Sequence, residues 1–179
     1  MFVLSLMTLA ILLALFASFV ALQPADFRIT RSTVVDAPPQ AVFELVNDLH
    51  RWEAWSPWAK LDPAAVKSYE GPPAGLGAAS TWSGNDEIGE GRMMITQSRP
   101  FELVQLSLEF KRPMQATDAA ELVFTPEGAH TRITWSMYGK RNFVAKAFGL
   151  FMNVDKMVGG QFETGLRQLK TLAESTPKS

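Results

Sequence analysis

The chain has 179 residues, 47% of them hydrophobic, and a formal net charge of −1. That length suits one globular domain with an appendage, and a charge so near zero offers no electrostatic footprint for nucleic acid or a strongly acidic partner. The absence of cysteine excludes disulfides and thiolate chemistry, and the two histidines, His50 and His130, lie too far apart in sequence to suggest a histidine-rich metal cluster.

The appendage comes first. Residues 2–22, FVLSLMTLAILLALFASFVAL, carry no charge, and the first charged residue is Asp26. About 20 apolar residues suffice for a helix to cross the hydrocarbon core. A cleaved signal peptide would call for a basic residue ahead of the run, a shorter apolar stretch and a small-x-small cleavage site. No Lys or Arg precedes this run, and the residues two places before Ala21 and Ala25 are Phe19 and Gln23. Residues 1–25 therefore read as a retained single-pass anchor in the cell (inner) membrane. Arg28 and Arg31 follow it and point weakly to a cytoplasmic domain, which leaves the side open.

Residues 27–35, FRITRSTVV, read as a strand of mixed alternation. Pro38 and Pro39 then suit the first turn of a helix, where a missing N–H costs nothing, and Val42, Phe43, Val46 and Leu49 recur at helical spacing. The segment RWEAWSPW breaks that pattern, with Trp52, Trp55 and Trp58 inside eight positions. EGPPAGLGA is turn-forming. The stretch ASTWSGNDEIGEGRMMITQS predicts a hairpin turning at Gly84–Asn85–Asp86, with Gly91, Met93 and Ile95 on one face of the return strand. Three alternating strands follow. Leu106, Leu108 and Phe110 share one side, as do Ala120, Leu122 and Phe124, then Ile133, Trp135 and Met137. Short connections imply an antiparallel meander with one wet face. Residues 142–174 predict one long amphipathic helix, with a stripe from Phe143 through Phe151, Val154, Val158 and Phe162 to Leu169. Gly149, Gly159, Gly160 and Gly165 each cost about 1 kcal/mol relative to Ala inside such a helix. They call for close approach to the sheet or a bend. Residues 26–175 form one domain without repeat or linker, and 176–179 read as a disordered tail.

The segments STVVDAPPQAVFELVNDLHRWEAWSPW, GPPAGLGAASTWSGNDEIGEG and FGLFMNVDKMVGGQFETGLRQL resemble the polyketide cyclase/dehydrase-like branch of the START-like (SRPBCC) superfamily. More narrowly, they resemble its bacterial members with an N-terminal membrane span. The resemblance covers nearly all of residues 27–174. It implies an α+β helix-grip fold, a curved antiparallel sheet wrapped around a long C-terminal helix, with a hydrophobic cavity between them. It implies fold better than activity, because relatives on one fold carry different functions.

Within that fold, Trp55 and Trp58 are placed to plug or line one end of the cavity; core packing and membrane contact are the alternative roles. Trp52, flanked by Arg51 and Glu53, is the one expected to stay partly exposed. Trp82 and Trp135 read as plain sheet residues. The expected cavity lining is Trp55, Trp58, Met93, Phe110, Leu122, Trp135, Phe148, Phe151 and Met152. Asp118 shares the parity of Ala120, and Asp155 lies beside the apolar stripe, so both are candidate polar cavity groups. Asn85, Asp86, Glu87 and Glu90 read as turn chemistry with solvated charges. Ser56, His50 and His130 form no nucleophile–base pattern. No cofactor and no metal are expected. Three functions stay open: a membrane-anchored binder of a lipid-like or aromatic small molecule, a cyclase/dehydratase-like enzyme acting on such a ligand, and an interaction module with a filled cavity.

Overall fold

A computed structural model describes residues 2–175, and the expected tail at 176–179 lies outside them. The apolar run forms one continuous helix, α1 (Phe2–Leu22). It is long and apolar enough to cross a membrane, and nearly all of its side chains are exposed. The remaining elements are β1 (Asp26–Val35), α2 (Pro39–Asn47), a 3-10 turn (Leu49–Arg51), α3 (Trp52–Trp55), α4 (Trp58–Leu61), β2 (Val66–Glu70), β3 (Ala79–Ser83), β4 (Glu90–Arg99), β5 (Leu103–Arg112), β6 (Ala116–Glu127), β7 (His130–Lys140), α5 (Phe143–Gly149) and α6 (Val154–Ser175).

The strands form one seven-stranded antiparallel sheet in the order β1-β7-β6-β5-β4-β3-β2. Its concave face grips α6, so the α+β helix-grip architecture is observed. Leu106 sits opposite Ala120, Leu122 opposite Trp135 and Phe124 opposite Ile133. All six side chains are buried, while Glu109 is exposed on the convex side. The strand parity read from the sequence is therefore the observed register. β2 and the short helices α3 and α4 went unread, because four or five residues carry too little periodicity to separate them from loop.

The expected single helix over 142–174 is two helices. Each begins with an asparagine whose side chain caps it. Asn142 Oδ1 accepts from Ala145 N at 2.8 Å and Asn153 Oδ1 from Lys156 N at 2.9 Å. An N-cap satisfies backbone donors that a new helix leaves open, so a second cap starts a second helix. Of the four glycines, two answer to close approach. A Cβ on Gly159 would sit 2.1 Å from the Arg31 guanidinium, and one on Gly165 would sit 2.9 Å from Trp135 Cζ3 and 3.0 Å from Pro57 Cδ. A Cβ on Gly160 meets nothing within 4 Å. Gly160→Ala should therefore stabilise the domain by roughly 0.5–1 kcal/mol, the ordinary helix-propensity difference. Gly165→Ala should destabilise it by about 1 kcal/mol or more, since the indole and the proline ring both have to give way. Thermal unfolding of the full chain in detergent, with both variants beside the wild type, reads the two opposite signs.

Arg31 explains Asp155. The guanidinium donates to Asp155 Oδ2 at 2.9 Å, to the Asp155 carbonyl at 3.2 Å and to Glu163 Oε1 at 2.7 Å. That hydrogen bonding holds the Asp155 carboxyl below the usual carboxylate range. The carboxyl is exposed and clamps α6 to the edge strand β1. The expectation that Asp155 is a polar cavity group is thus corrected: its ion pair draws it to the rim.

Candidate functional site

The tryptophan stretch divides its work. The last carbonyls of α2 lack partners within that helix, and two indoles supply them. Trp52 Nε1 donates to the Val46 carbonyl at 2.9 Å and Trp55 Nε1 to the Leu45 carbonyl at 3.1 Å. Both rings are buried, which corrects the expectation that Trp52 stays partly exposed. Its neighbours Arg51 and Glu53 are exposed while Trp52 turns inward, as expected on a helix face where adjacent residues diverge. Pro57 then opens α4, and Trp58 lies only half-buried.

These rings converge on Trp135, which is far more than a plain sheet residue. Phe162 of α6 stacks on it with centroids 4.2 Å apart and planes 6° from parallel. Trp55, Trp58 and Trp52 meet it edge-on at 5.5, 5.8 and 5.9 Å. Such edge-to-face pairs are the favoured aromatic geometry.

Beside this cluster lies a cavity of about 310 Å³ between the concave sheet, α3, α4 and α6, near the lower bound for small-molecule sites. Trp58, Met93, Phe110 and Trp135 stand in its wall, with Leu108, Ala120, Met137, Val158 and Phe162. Trp55 and Leu122, both fully buried in the core, are not among the side chains that line it, which corrects their expected place in the lining. Phe148, Phe151 and Met152 are exposed and lie apart from the cavity, which corrects their expected place in its lining. The helix break at 150–153 is the reason: α5 packs against α1, where Phe151 meets Phe16 with ring centroids 6.5 Å apart. Phe162 and Val158 take the place expected of them, and both belong to the stripe legible in the sequence. Ser56 and Ser80 carried no such signal.

The wall is mainly apolar, with polar groups at distinct places. At the rim, Glu53 accepts from Lys67 Nζ at 2.6 Å and from Tyr69 Oη at 3.2 Å. Burial, then the Glu53 charge, push the Tyr69 phenol up to about 12, so it stays a proton donor. On the other side of Tyr69 a separate cleft of about 260 Å³ is lined by His50 and the Gly71–Pro73 turn. Inside the main cavity, the buried side chains of Ser56 and Ser80 stand in the wall. Trp135 is only 2% exposed, yet its Nε1–H has no partner among the described residues. Trp52, Trp55 and Trp82 all donate theirs. An unmade hydrogen bond on a buried donor costs about 1–3 kcal/mol. Among the described residues no three His, Cys, Asp or Glu side chains converge as a metal site would need. In the turn after β3, Asn85 Oδ1 accepts from Glu87 N at 2.9 Å, the local chemistry expected of it.

Asp118 flanks the cavity, one inward position along β6 from Ala120 and opposite Leu108. Its carboxyl lies over Gly139, half-buried, without an ion pair among the described residues. Burial pushes it up to about 6, above the ordinary carboxylate range. The folded chain therefore holds this proton more tightly than the unfolded chain. The stability it contributes is fully present below the lower value and is lost as pH rises through the higher one. Asp118→Asn should remove that slope and stabilise the chain near neutral pH by about 1 kcal/mol, a figure reduced for the group's partial solvation. Denaturant midpoints of both forms across the acid-to-neutral range check it.

Comparison with known proteins agrees with this geometry. A family model described as polyketide cyclase/dehydrase and lipid transport matches residues 26–174. No curated protein matches the sequence. Among solved structures, protein CV1439 from Chromobacterium violaceum is similar at a TM-score of 0.60 and 15% identity, covering 86% of this chain and 100% of that one. Protein MLL2253 from Mesorhizobium loti aligns at 0.59 and 16%, covering 84% and 100%. CalU16 from Micromonospora echinospora aligns at 0.55 and 16%, covering 84% and 76%. At such identities the likeness is one of fold.

Proposed function

The chain belongs to the polyketide cyclase/dehydrase and lipid transport family, and from that premise we propose that it is a membrane-anchored binding protein whose cavity holds a lipid-like or aromatic small molecule. The observation that carries this reading is the aromatic, mainly apolar wall of the 310 Å³ cavity. Apolar surface removed from water stabilises a complex by about 25 cal/mol per Å². Residues 1–25 serve as the anchor and residues 26–175 as the binding domain. Phe110, Met93, Trp58 and Trp135 provide contact area. The Ser56 and Ser80 side chains in the wall are placed to meet a polar group of the ligand.

Asp118 is the observation on the side of an enzyme. Its carboxyl titrates at about 6, within the range useful to a general base. It lies beside the cavity wall rather than in it, which favours binding over acid–base catalysis. The test is photo-crosslinking of the full chain in detergent with a diazirine-bearing alkyl ketone and with its hydrocarbon analogue. Adducts on Trp58, Met93 or Phe110 are expected, with a higher yield for the ketone that the combined Ser56→Ala and Ser80→Ala change removes. Adducts confined to residues 2–22 would overturn the reading.

A further inference from the structure

The segment from α5 to the start of α6 leaves a run of large apolar side chains uncovered. Phe143, Val144, Phe148, Leu150, Phe151 and Met152 are all exposed, Phe151 to 79%. A patch of this density within ten consecutive residues marks an interaction site rather than ordinary surface. Its neighbour identifies the partner. Phe151 packs on Phe16 of α1, and Lys146 Nζ donates to the Ala21 carbonyl at 3.0 Å. Arg141 N donates to the Ala25 carbonyl at 2.8 Å, just past the end of α1. The apolar patch is thus continuous with the apolar helix, and its basic side chains stand level with that helix's C-terminal end.

The depth follows from helix geometry. At 1.5 Å per residue, the 21 residues of α1 extend about 31 Å, matching a hydrocarbon core of about 30 Å. Phe16 lies six residues before Leu22, hence about 9 Å inside the C-terminal boundary. A side chain packed on Phe16 is below the headgroups.

We propose that α5 and the 150–153 turn are embedded in the same bilayer leaflet that receives the C-terminal end of α1, so that the domain rests on the membrane instead of hanging from a tether. This rests on the reading that α1 spans a membrane. Lys146 and Arg141 reach back to the phosphate level, as long basic side chains do at helix ends. Of the acidic groups nearby, Asp26 stands four residues beyond the end of α1, opposite Lys140, and Asp155 is held by Arg31 and directed at the sheet edge. One consequence is positional: α6 begins immediately after the embedded turn, and its Val158 and Phe162 line the cavity, which places that wall close to the membrane surface.

The chain has no cysteine, so single cysteines report cleanly. The experiment places one at Phe151, Phe148, Leu13 or Thr81 of the full chain (Phe151→Cys, Phe148→Cys, Leu13→Cys, Thr81→Cys). Each carries an environment-sensitive fluorophore. The protein is reconstituted in phosphatidylcholine–phosphatidylglycerol vesicles containing doxyl-labelled lipid. Quenching at 13, 148 and 151 but not at 81 is expected, with 148 and 151 shallower than 13. Quenching at 13 with water-like emission at both 148 and 151 would overturn the inference while leaving the anchor intact. Absence of quenching at 13 would overturn the spanning reading and the inference with it.

Discussion

Phe162→Ala should lower the unfolding free energy by about 3–5 kcal/mol, the range for deleting a buried aromatic side chain. Phe162 is 2% exposed, stacks face-to-face on Trp135 and meets Trp58 edge-on at 6.1 Å. Truncation removes the α6 ring that packs on Trp135 and Trp58 and merges the space it leaves with the cavity. For a chain of this length, each 1 kcal/mol moves the midpoint by about 2–4 °C, so a fall on the order of 10 °C is expected. Phe151→Ala is the contrast. That ring is exposed and lies outside the core, so the domain should lose no more than about 0.5 kcal/mol. Differential scanning calorimetry of both variants in detergent separates them. Equal losses would mean that Phe151 belongs to the core.

The second large effect is at Trp55, which is fully buried. Trp55→Ala should cost about 3–5 kcal/mol, because it removes an indole packed against Trp52 at 4.6 Å and against Trp135. It also leaves the Leu45 carbonyl without the donor now 3.1 Å away. Trp55→Phe keeps most of the volume and loses that donor alone. Its cost should be nearer 1–3 kcal/mol, the penalty of an orphaned buried acceptor. Urea titration of the two variants gives the ratio, and similar losses for both would place the energy in the hydrogen bond instead of the packing.

The sheet was legible because β5, β6 and β7 alternate strictly, and a period of two fixes which side chains face inward. The apolar helix was legible because a run of 21 uncharged residues needs no context. The cavity was legible only in part. Met93, Phe110 and Trp135 followed from strand parity, whereas Phe148, Phe151 and Met152 were misplaced. Their spacing fits one continuous stripe, and a single capping asparagine, Asn153, divides it. A side chain at a cap outweighs a periodic pattern that runs through it, because the cap decides where the backbone donors go. The fate of Trp52 was hidden for a related reason. Its burial depends on the α2 carbonyls it caps, a contact six residues away that charged neighbours in sequence do not reveal. Asp155 lies beside the apolar stripe in sequence, but Arg31 on the edge strand draws its carboxyl out to the rim.

On the proposed function, the space beside Trp135 is an open binding cavity and not a loosely packed core. Native mass spectrometry of the detergent-extracted full chain, wild type beside Ala120→Leu, tests it most directly. Ala120 is 3% exposed and stands in the cavity wall, so a leucine there would fill the space a ligand needs. The wild type should retain an apolar small molecule or take up an added alkyl ketone. Ala120→Leu should unfold at nearly the same temperature and retain neither. A wild type that binds nothing, together with an Ala120→Leu variant that loses the roughly 1–3 kcal/mol typical of an overfilled core, would contradict the proposed function.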